Sequence, residues 1–387
     1  MILLLACTQP VHIDPGQNGN NKPGDDTGEP TLDGDLDITD VDDMKGFCDD
    51  FTVLDGDLLI GGEVTSVEEL SCLVEVTGDI VVQEDGALEE LALPNLVLLG
   101  DDLTVLNNQV LRVIDFPVLT HVDDDIYVLD ADGLEAIRMP SLVRAGDDLK
   151  LFYNGGLSEL DLDSLEEVYG YLHFRANAEL VTLSMPALKH SDIDFIIEDH
   201  TLLETVSLPA FVDSRADVRM SNNVALTTVD LSAFVEAEMG LTFGRNAIPS
   251  FSLPVLESVG GNFTVTENDS IESFSAPALV SIGAGLELSQ NESLVEPDLS
   301  ALESVGYATL RGNGFEHVDG LAALRTVEQT LAITDNSQLV RLDGLHGVES
   351  VGGDLEVRAN RVLDSSEVDA LVEAIGEDNI AGSVSRD

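Results

Sequence analysis

The chain has 387 residues, 44% of them apolar, 5% aromatic and none of them Trp. Its 17 basic and 74 acidic side chains leave a formal charge of −57, which excludes nucleic acid as a partner, because Lys and Arg must displace its counterions, and excludes adsorption to an anionic membrane surface. With so few rings, the interior has to be built from Leu, Val and Ile in thin, regular layers.

The chain opens Met1-Ile2-Leu3-Leu4-Leu5-Ala6-Cys7. Leu4-Leu5-Ala6-Cys7 resembles the lipobox of bacterial lipoproteins. That resemblance implies a lipid on Cys7, which becomes the mature N-terminus, and a place in the cell envelope, at the outer membrane or the cell surface. The apolar run from Ile2 to Ala6 is shorter than a full signal h-region, so residues 1–7 read as a truncated signal whose start lies upstream. Residues 8–45 carry Pro10, Pro15, Pro23 and Pro30, many Gly and Asn, and the acidic run Asp33-Gly34-Asp35-Leu36-Asp37. Low apolarity with high charge does not offset the entropy of ordering, and the segment reads as a disordered acidic tether. The spacing of Asp33, Asp35 and Asp37 is that of an EF-hand start, but the Gly and Glu that complete such a loop are missing. No stretch approaches the roughly 18 uncharged apolar residues of a membrane span, so the membrane is expected to be reached only through the lipid.

Three Cys are present, at 7, 48 and 72. With Cys7 assigned to lipid, Cys48 and Cys72 are left as one pair flanking the first repeat. They read as a disulfide, which implies an oxidising compartment; two unconnected buried thiols are the other reading.

From 46 to 364 the chain repeats. Fourteen segments, from Leu58 to Leu355, start on an apolar anchor at intervals of 22 to 24 residues, each with a second apolar residue two positions on. Leu103-Thr104-Val105 and Leu286-Glu287-Leu288 are examples. One fixed apolar face at period two is a half-buried strand. Its return at a fixed interval marks a solenoid of about 14 coils, with parallel strands stacked about 4.8 Å apart. Five residues after the anchor comes Asn in ten coils: Asn108, Asn154, Asn177, Asn223, Asn246, Asn268, Asn291, Asn313, Asn336 and Asn360. Asp85 and His200 stand in for it. Asn at a strand end enters turn conformations and bonds neighbouring backbone, so the row is expected to be a structural ladder of amides. A second apolar pair follows, such as Leu111 and Ile114, then often a Pro that turns the chain, as at Pro94, Pro117 and Pro140. No coil carries a long amphipathic helix pattern. Two or three short strands per coil are expected, and the class is mainly β.

The Gly-Asp-Leu-x-Ile starts (Gly56 to Ile60), the Asn row and the Leu-x-x-Val-Gly ends (Leu256 to Gly260) resemble the receptor L-domain family, relatives of leucine-rich repeats, over roughly residues 46 to 376. The resemblance implies a right-handed β-solenoid, a surface or secreted location, and recognition or adhesion in place of catalysis. The Leu241 and Ala308 coils depart from the pattern, with Pro249 where the second Leu belongs and a small anchor at 308.

In residues 365–387 a capping helix is expected. Asp364 and Glu367 suit a capping box, Val368, Leu371, Val372 and Ile375 recur at helical spacing, and Gly376 suits a C-cap. The last residues, from 379, are expected to fray.

Two sets of outward residues are candidate sites. Asp57, Asp79, Asp102, Asp125 and Asp148 precede successive anchors and form a column, a candidate for calcium held between coils. Tyr127, Lys150, Phe152, Tyr171, His173 and Arg175 flank anchors in three consecutive coils, in a chain poor in rings and bases. Aromatic and Arg side chains are favoured at recognition sites, so this patch is expected to bind a protein or glycan partner. No nucleophile elbow, P-loop, zinc-protease or dinucleotide motif is present, and no other cofactor is expected. A passive envelope spacer stabilised by divalent cations is the alternative reading. A polysaccharide-acting enzyme built on Asp125, Asp148 and Lys150 is a minor one.

Overall fold

The computed structural model describes residues 29–83 and 86–386. The expected lipidation site Cys7, residues 8–28 of the expected tether and the Asn stand-in Asp85 lie outside them.

All fourteen anchors lie in strands. Registers run anchor on anchor in parallel: Leu103 pairs with Ile126, Ile126 with Leu149, and Leu149 with Leu172. Side chains alternate across a strand, so this register sends the first and third residue of every anchor strand inward. Leu103 and Val105 are buried while Thr104 between them is partly exposed. The result is a mainly β, parallel solenoid of about 14 turns, whose buried apolar side chains form one continuous core from Ile38 to Ile380.

A regular coil has three strands, as in Leu103–Leu106, Val113–Asp115 and His121–Val122. The first and third kinds join one long sheet, and the second forms three shorter ladders on another wall. The prolines sit where a turn needs a preset φ. Leu96 N–H donates to Leu93 O around Pro94 at 3.2 Å, and Leu142 to Met139 around Pro140 at 3.0 Å.

All ten Asn of the row are buried. Each Nδ2 donates to the backbone carbonyl at the third position of the preceding anchor strand: Asn108 to Val82 at 2.8 Å, Asn177 to Leu151 at 2.9 Å, Asn336 to Leu310 at 2.8 Å. Most Oδ1 atoms accept from the equivalent N–H one coil back, as when Asn154 N–H donates to Asn177 Oδ1 at 3.1 Å. The Asn thus satisfies groups of its neighbour. The left-handed turn residue is the one before it, at Asn107, Tyr153, Ala176 and onward to Gly312 and Ala359, with φ of 53° to 65°.

Both ends differ from expectation. Residues 31–45, expected in the tether, form a further coil: Thr31–Asp33 pairs with Val53–Asp55, and Leu36–Ile38 with Leu58–Ile60. Leu36 and Ile38 keep the apolar alternation, and Ile38 is fully buried, so two inward side chains outweigh the charge around them. Cys48 and Cys72 form a disulfide. It joins the short helix Phe47–Asp50 of this first coil to the next coil. At the other end the capping helix runs Ser365–Ile375 and buries Val368, Leu371, Val372 and Ile375. Asp364 caps it by accepting from Ser366 N–H at 2.9 Å. Glu367 does not close a capping box; it accepts from Leu342 N–H at 3.1 Å and fastens the helix to a neighbouring coil. The tail does not fray. Val384–Arg386 adds a parallel strand to Leu355–Val357.

The two irregular coils are accommodated locally. Ile248, not Pro249, fills the second Leu site and is buried. Beside Ala308 the ladder shifts register between Ile282 and Gly285. A Cβ on Gly285 would sit 2.2 Å from the Tyr307 ring, so only glycine admits that ring.

Candidate functional site

The register brings the expected patch together. Tyr127 pairs with Lys150, and Lys150 with His173; in the next row Phe152 pairs with Arg175. The side chains pack on one another. Tyr127 meets Phe152 edge-on at 5.9 Å between centroids, and Phe152 meets His173 at 4.6 Å. Lys150 Nζ lies 5.0 Å from the Tyr171 ring centre, within the range where a cation is drawn to an aromatic face. All six therefore lie in one contiguous cluster on the outer face of the long sheet.

The cluster extends beyond the sequence expectation. Tyr153 lies under Arg175, 5.6 Å from its guanidinium, and Tyr169 under Arg144 at 5.8 Å. Four of the five Tyr in the chain, at 127, 153, 169 and 171, thus fall within this region. Tyr153, Tyr169 and Tyr171 are exposed. Tyr153 and Tyr169 fall outside the positions flanking an anchor: one takes the left-handed turn, the other follows the closing pair. The clustering of Tyr in the sequence was the signal that could have found them.

Acidic neighbours neutralise the cations. Lys150 pairs with Asp148. Arg175 Nε lies 3.1 Å from Asp199 and 3.6 Å from Glu198. His173 Nε2 is 3.2 Å from Glu198 Oε1. That hydrogen bond, with Arg175 adding to it and burial opposing it, holds the Glu198 carboxyl below its ordinary value. The patch is close to neutral within a strongly acidic surface. Lys150 pairs with Asp148 and packs on Tyr171.

The Asp column has a role that its spacing alone does not reveal. Each carboxylate accepts from the backbone N–H of the column residue one coil on. Asp57 Oδ1 accepts from Asp79 at 3.0 Å, Asp79 from Asp102 at 2.9 Å, Asp102 from Asp125 at 2.9 Å, and Asp125 from Asp148 at 2.8 Å. The ladder begins at Asp35, which accepts from Asp57, and passes from Asp148 to the N–H of Tyr171 at 2.6 Å. One oxygen of each carboxylate thus terminates a backbone donor at a turn, while the charges of adjacent column residues still repel. Carboxylate oxygens of the column also meet outward neighbours in two groups, Asp102 with Asp124 and Asp125, and Asp125 with Asp147 and Asp148, each within 4.8 Å. Burial pushes the Asp102 carboxyl up to about 6, helped by the charges of Asp79, Asp125 and Asp124 and opposed by the hydrogen bond from Asp125 N–H. The all-oxygen donor set of these groups suits a hard divalent cation such as calcium.

Two grooves open on other faces. One, of about 870 Å³, follows the Asn corner past Arg245 and Arg311, which are paired to Glu267 and Asp335. The other, of about 820 Å³, lies on the last ladder of the second wall, over Phe251 and Phe274. Among the described residues no helix is long and apolar enough to cross a membrane. Comparison of the sequence with protein-family models gives no match, and comparison with curated proteins gives none either.

Proposed function

We propose that this chain is a non-catalytic recognition protein of the cell envelope, held by a lipid on Cys7 and binding a protein or glycan through the aromatic patch of its middle coils. The observation that carries the reading is the gathering of Tyr127, Phe152, Tyr153, Tyr169 and Tyr171 with Lys150 and Arg175 in one region of a surface that is otherwise acidic and poor in rings. Tyrosine offers a large, rigid contact area with a polar edge, which favours it at interfaces, and its face stacks on the apolar face of a sugar ring. A parallel solenoid supplies a stiff display for such a patch, because each coil is fixed by its neighbours. The Cys48–Cys72 disulfide supports a compartment outside the reducing cytoplasm. The resemblance to receptor L-domains points the same way.

The test is a glycan array and an envelope-extract pull-down, each run with the wild type and a Tyr171→Ala, Arg175→Ala double variant. The expected result is a bound species whose affinity drops by about 30-fold or more in the double variant, the loss typical of a central aromatic and Arg pair. Binding that is equal in both proteins removes the patch from recognition. Silence in both assays favours the envelope spacer.

A further inference from the structure

The second wall of the solenoid changes form where the ladder Ser250–Ser252, Ser273–Ser275, Glu296–Asp298 ends. The next coil replaces the strand with a single 3-10 turn, Asp319–Leu321. Pro297 has no N–H to offer a ladder. At this changeover Glu296, from one coil, meets His317 and Asp319, from the next. His317 Nδ1 lies 3.2 Å from Asp319 Oδ2 and 3.6 Å from Glu296 Oε1. That nitrogen is shielded from solvent and makes a hydrogen bond with neither oxygen. A buried nitrogen lone pair or N–H without a partner is costly, so two coils converge on an atom that lacks the group it needs.

We infer that Glu296, His317 and Asp319 bind one transition-series divalent cation, with zinc as the best fit. Distance supports the assignment first. Zinc takes His nitrogen and carboxylate oxygen at about 2.0–2.2 Å in a tetrahedron; ligand atoms then stand about 3.3–3.5 Å apart, and the two separations to His317 bracket that edge. All three ligand atoms lie within 4.8 Å of one another. Donor chemistry agrees. An imidazole with two carboxylates is a borderline set that suits zinc and its neighbours in preference to calcium or magnesium. The all-carboxylate groups around Asp125 have no such nitrogen. The surrounding shell is also in place. Arg341 Nη2 donates to Asp319 Oδ2 at 3.0 Å, the kind of outer partner that orients a ligating carboxylate. Glu296 and Asp319 also line the groove of about 820 Å³, which leaves the fourth position to water. The cation clips together two coils at the point where the backbone ladder on this face gives way to a turn.

The experiment titrates the full chain with zinc chloride by calorimetry in excess calcium chloride, which screens the acidic surface and competes against loose zinc binding to carboxylates alone. The expected result is one saturable zinc step per chain, abolished in His317→Ala and weakened about tenfold or more in Glu296→Gln. Both variants should stay folded in chelator by circular dichroism, since all three side chains are partly exposed. Histidine ring NMR gives a second readout: one equivalent of zinc should shift a single ring, and His317→Ala should remove that signal. No saturable step under excess calcium, or a step undiminished in both variants, overturns the assignment. So does a zinc-shifted ring that survives His317→Ala.

Discussion

His200 occupies an Asn-row position with a ring that cannot do what a carboxamide does. Its Nδ1 contacts Glu198 O at 2.9 Å, while its Nε2 is buried without a partner. The next carboxamide, Asn223, still accepts from His200 N–H, but no side-chain oxygen at 200 is there for Asn177 N–H. Burial drives the His200 ring down to about 4, with the Glu198 carbonyl and nearby carboxylates opposing. The unfolded chain therefore takes up a proton near pH 6.5, and the folded chain does not until near 4. The contribution of neutral His200 is complete above about pH 6.5 and is lost as pH falls toward 4, on the order of 3 kcal/mol. His200→Asn restores the row. Denaturant melts of both proteins should show the variant more stable at neutral pH, with its advantage widening from about pH 7 to pH 4. A constant difference across that range would place the ring in water.

At the scale of the element, the capping helix closes a structure whose coils speak mainly to their neighbours. In such a one-dimensional array stability is a sum of repeats and interfaces, so damage at one end stays near that end. Leu371, on the inner face of the capping helix, is fully buried. Leu371→Ala should cost about 3 kcal/mol, and hydrogen exchange should speed up in Leu355–Arg358 while Leu103–Leu106 keeps its protection. Equal acceleration in both strands would mean that the rod unfolds as one unit. The same nearest-neighbour logic explains what could be read from the chain alone. The anchors were legible because every coil must send two side chains into one interior, and the Asn row because every coil must satisfy the same corner. The Leu36 coil is hidden because Leu36 and Ile38 lie among six acids, Asp33 to Asp43, behind a segment rich in glycine and proline. The Val384–Arg386 strand has no anchor pair of its own to announce it. Asp57 to Asp148 were visible as a column, yet their role was not, since an Asp that accepts a backbone N–H one coil on looks the same in sequence as one facing water. Glu296 and His317 stand 21 residues apart, and only the register of adjacent coils, together with the strand-to-turn change, brings them into contact.

For the whole molecule, net charge opposes folding. A chain at −57 repels itself. Screening over about 8 Å at physiological ionic strength spans more than the spacing of about 4.8 Å between coils, so salt relieves only part of that strain. Melting temperature should rise steadily with sodium chloride. With the opposing His200 removed, as in His200→Asn, it should also rise on mild acidification: Asp102, raised to about 6 by burial, takes up a proton in the folded state before the unfolded chain does. Its contribution to stability is then present at the acidic end of the window and is lost as pH rises through about 6, opposite in sign to that of His200. Asp102→Asn keeps an oxygen for Asp125 N–H and removes the charge, so it should raise the melting temperature at neutral pH and low salt. Two cations of equal charge separate screening from coordination. Calcium tolerates the flexible, many-oxygen groups formed by Asp102, Asp124, Asp125, Asp147 and Asp148, whereas magnesium demands tight octahedral geometry and keeps its waters. Because one oxygen of Asp102, of Asp125 and of Asp148 already terminates a backbone donor, calcium and magnesium chloride at equal concentration should raise the melting temperature equally, as screening ions. A calcium excess that vanishes in Asp102→Asn would instead make the column a coordination site.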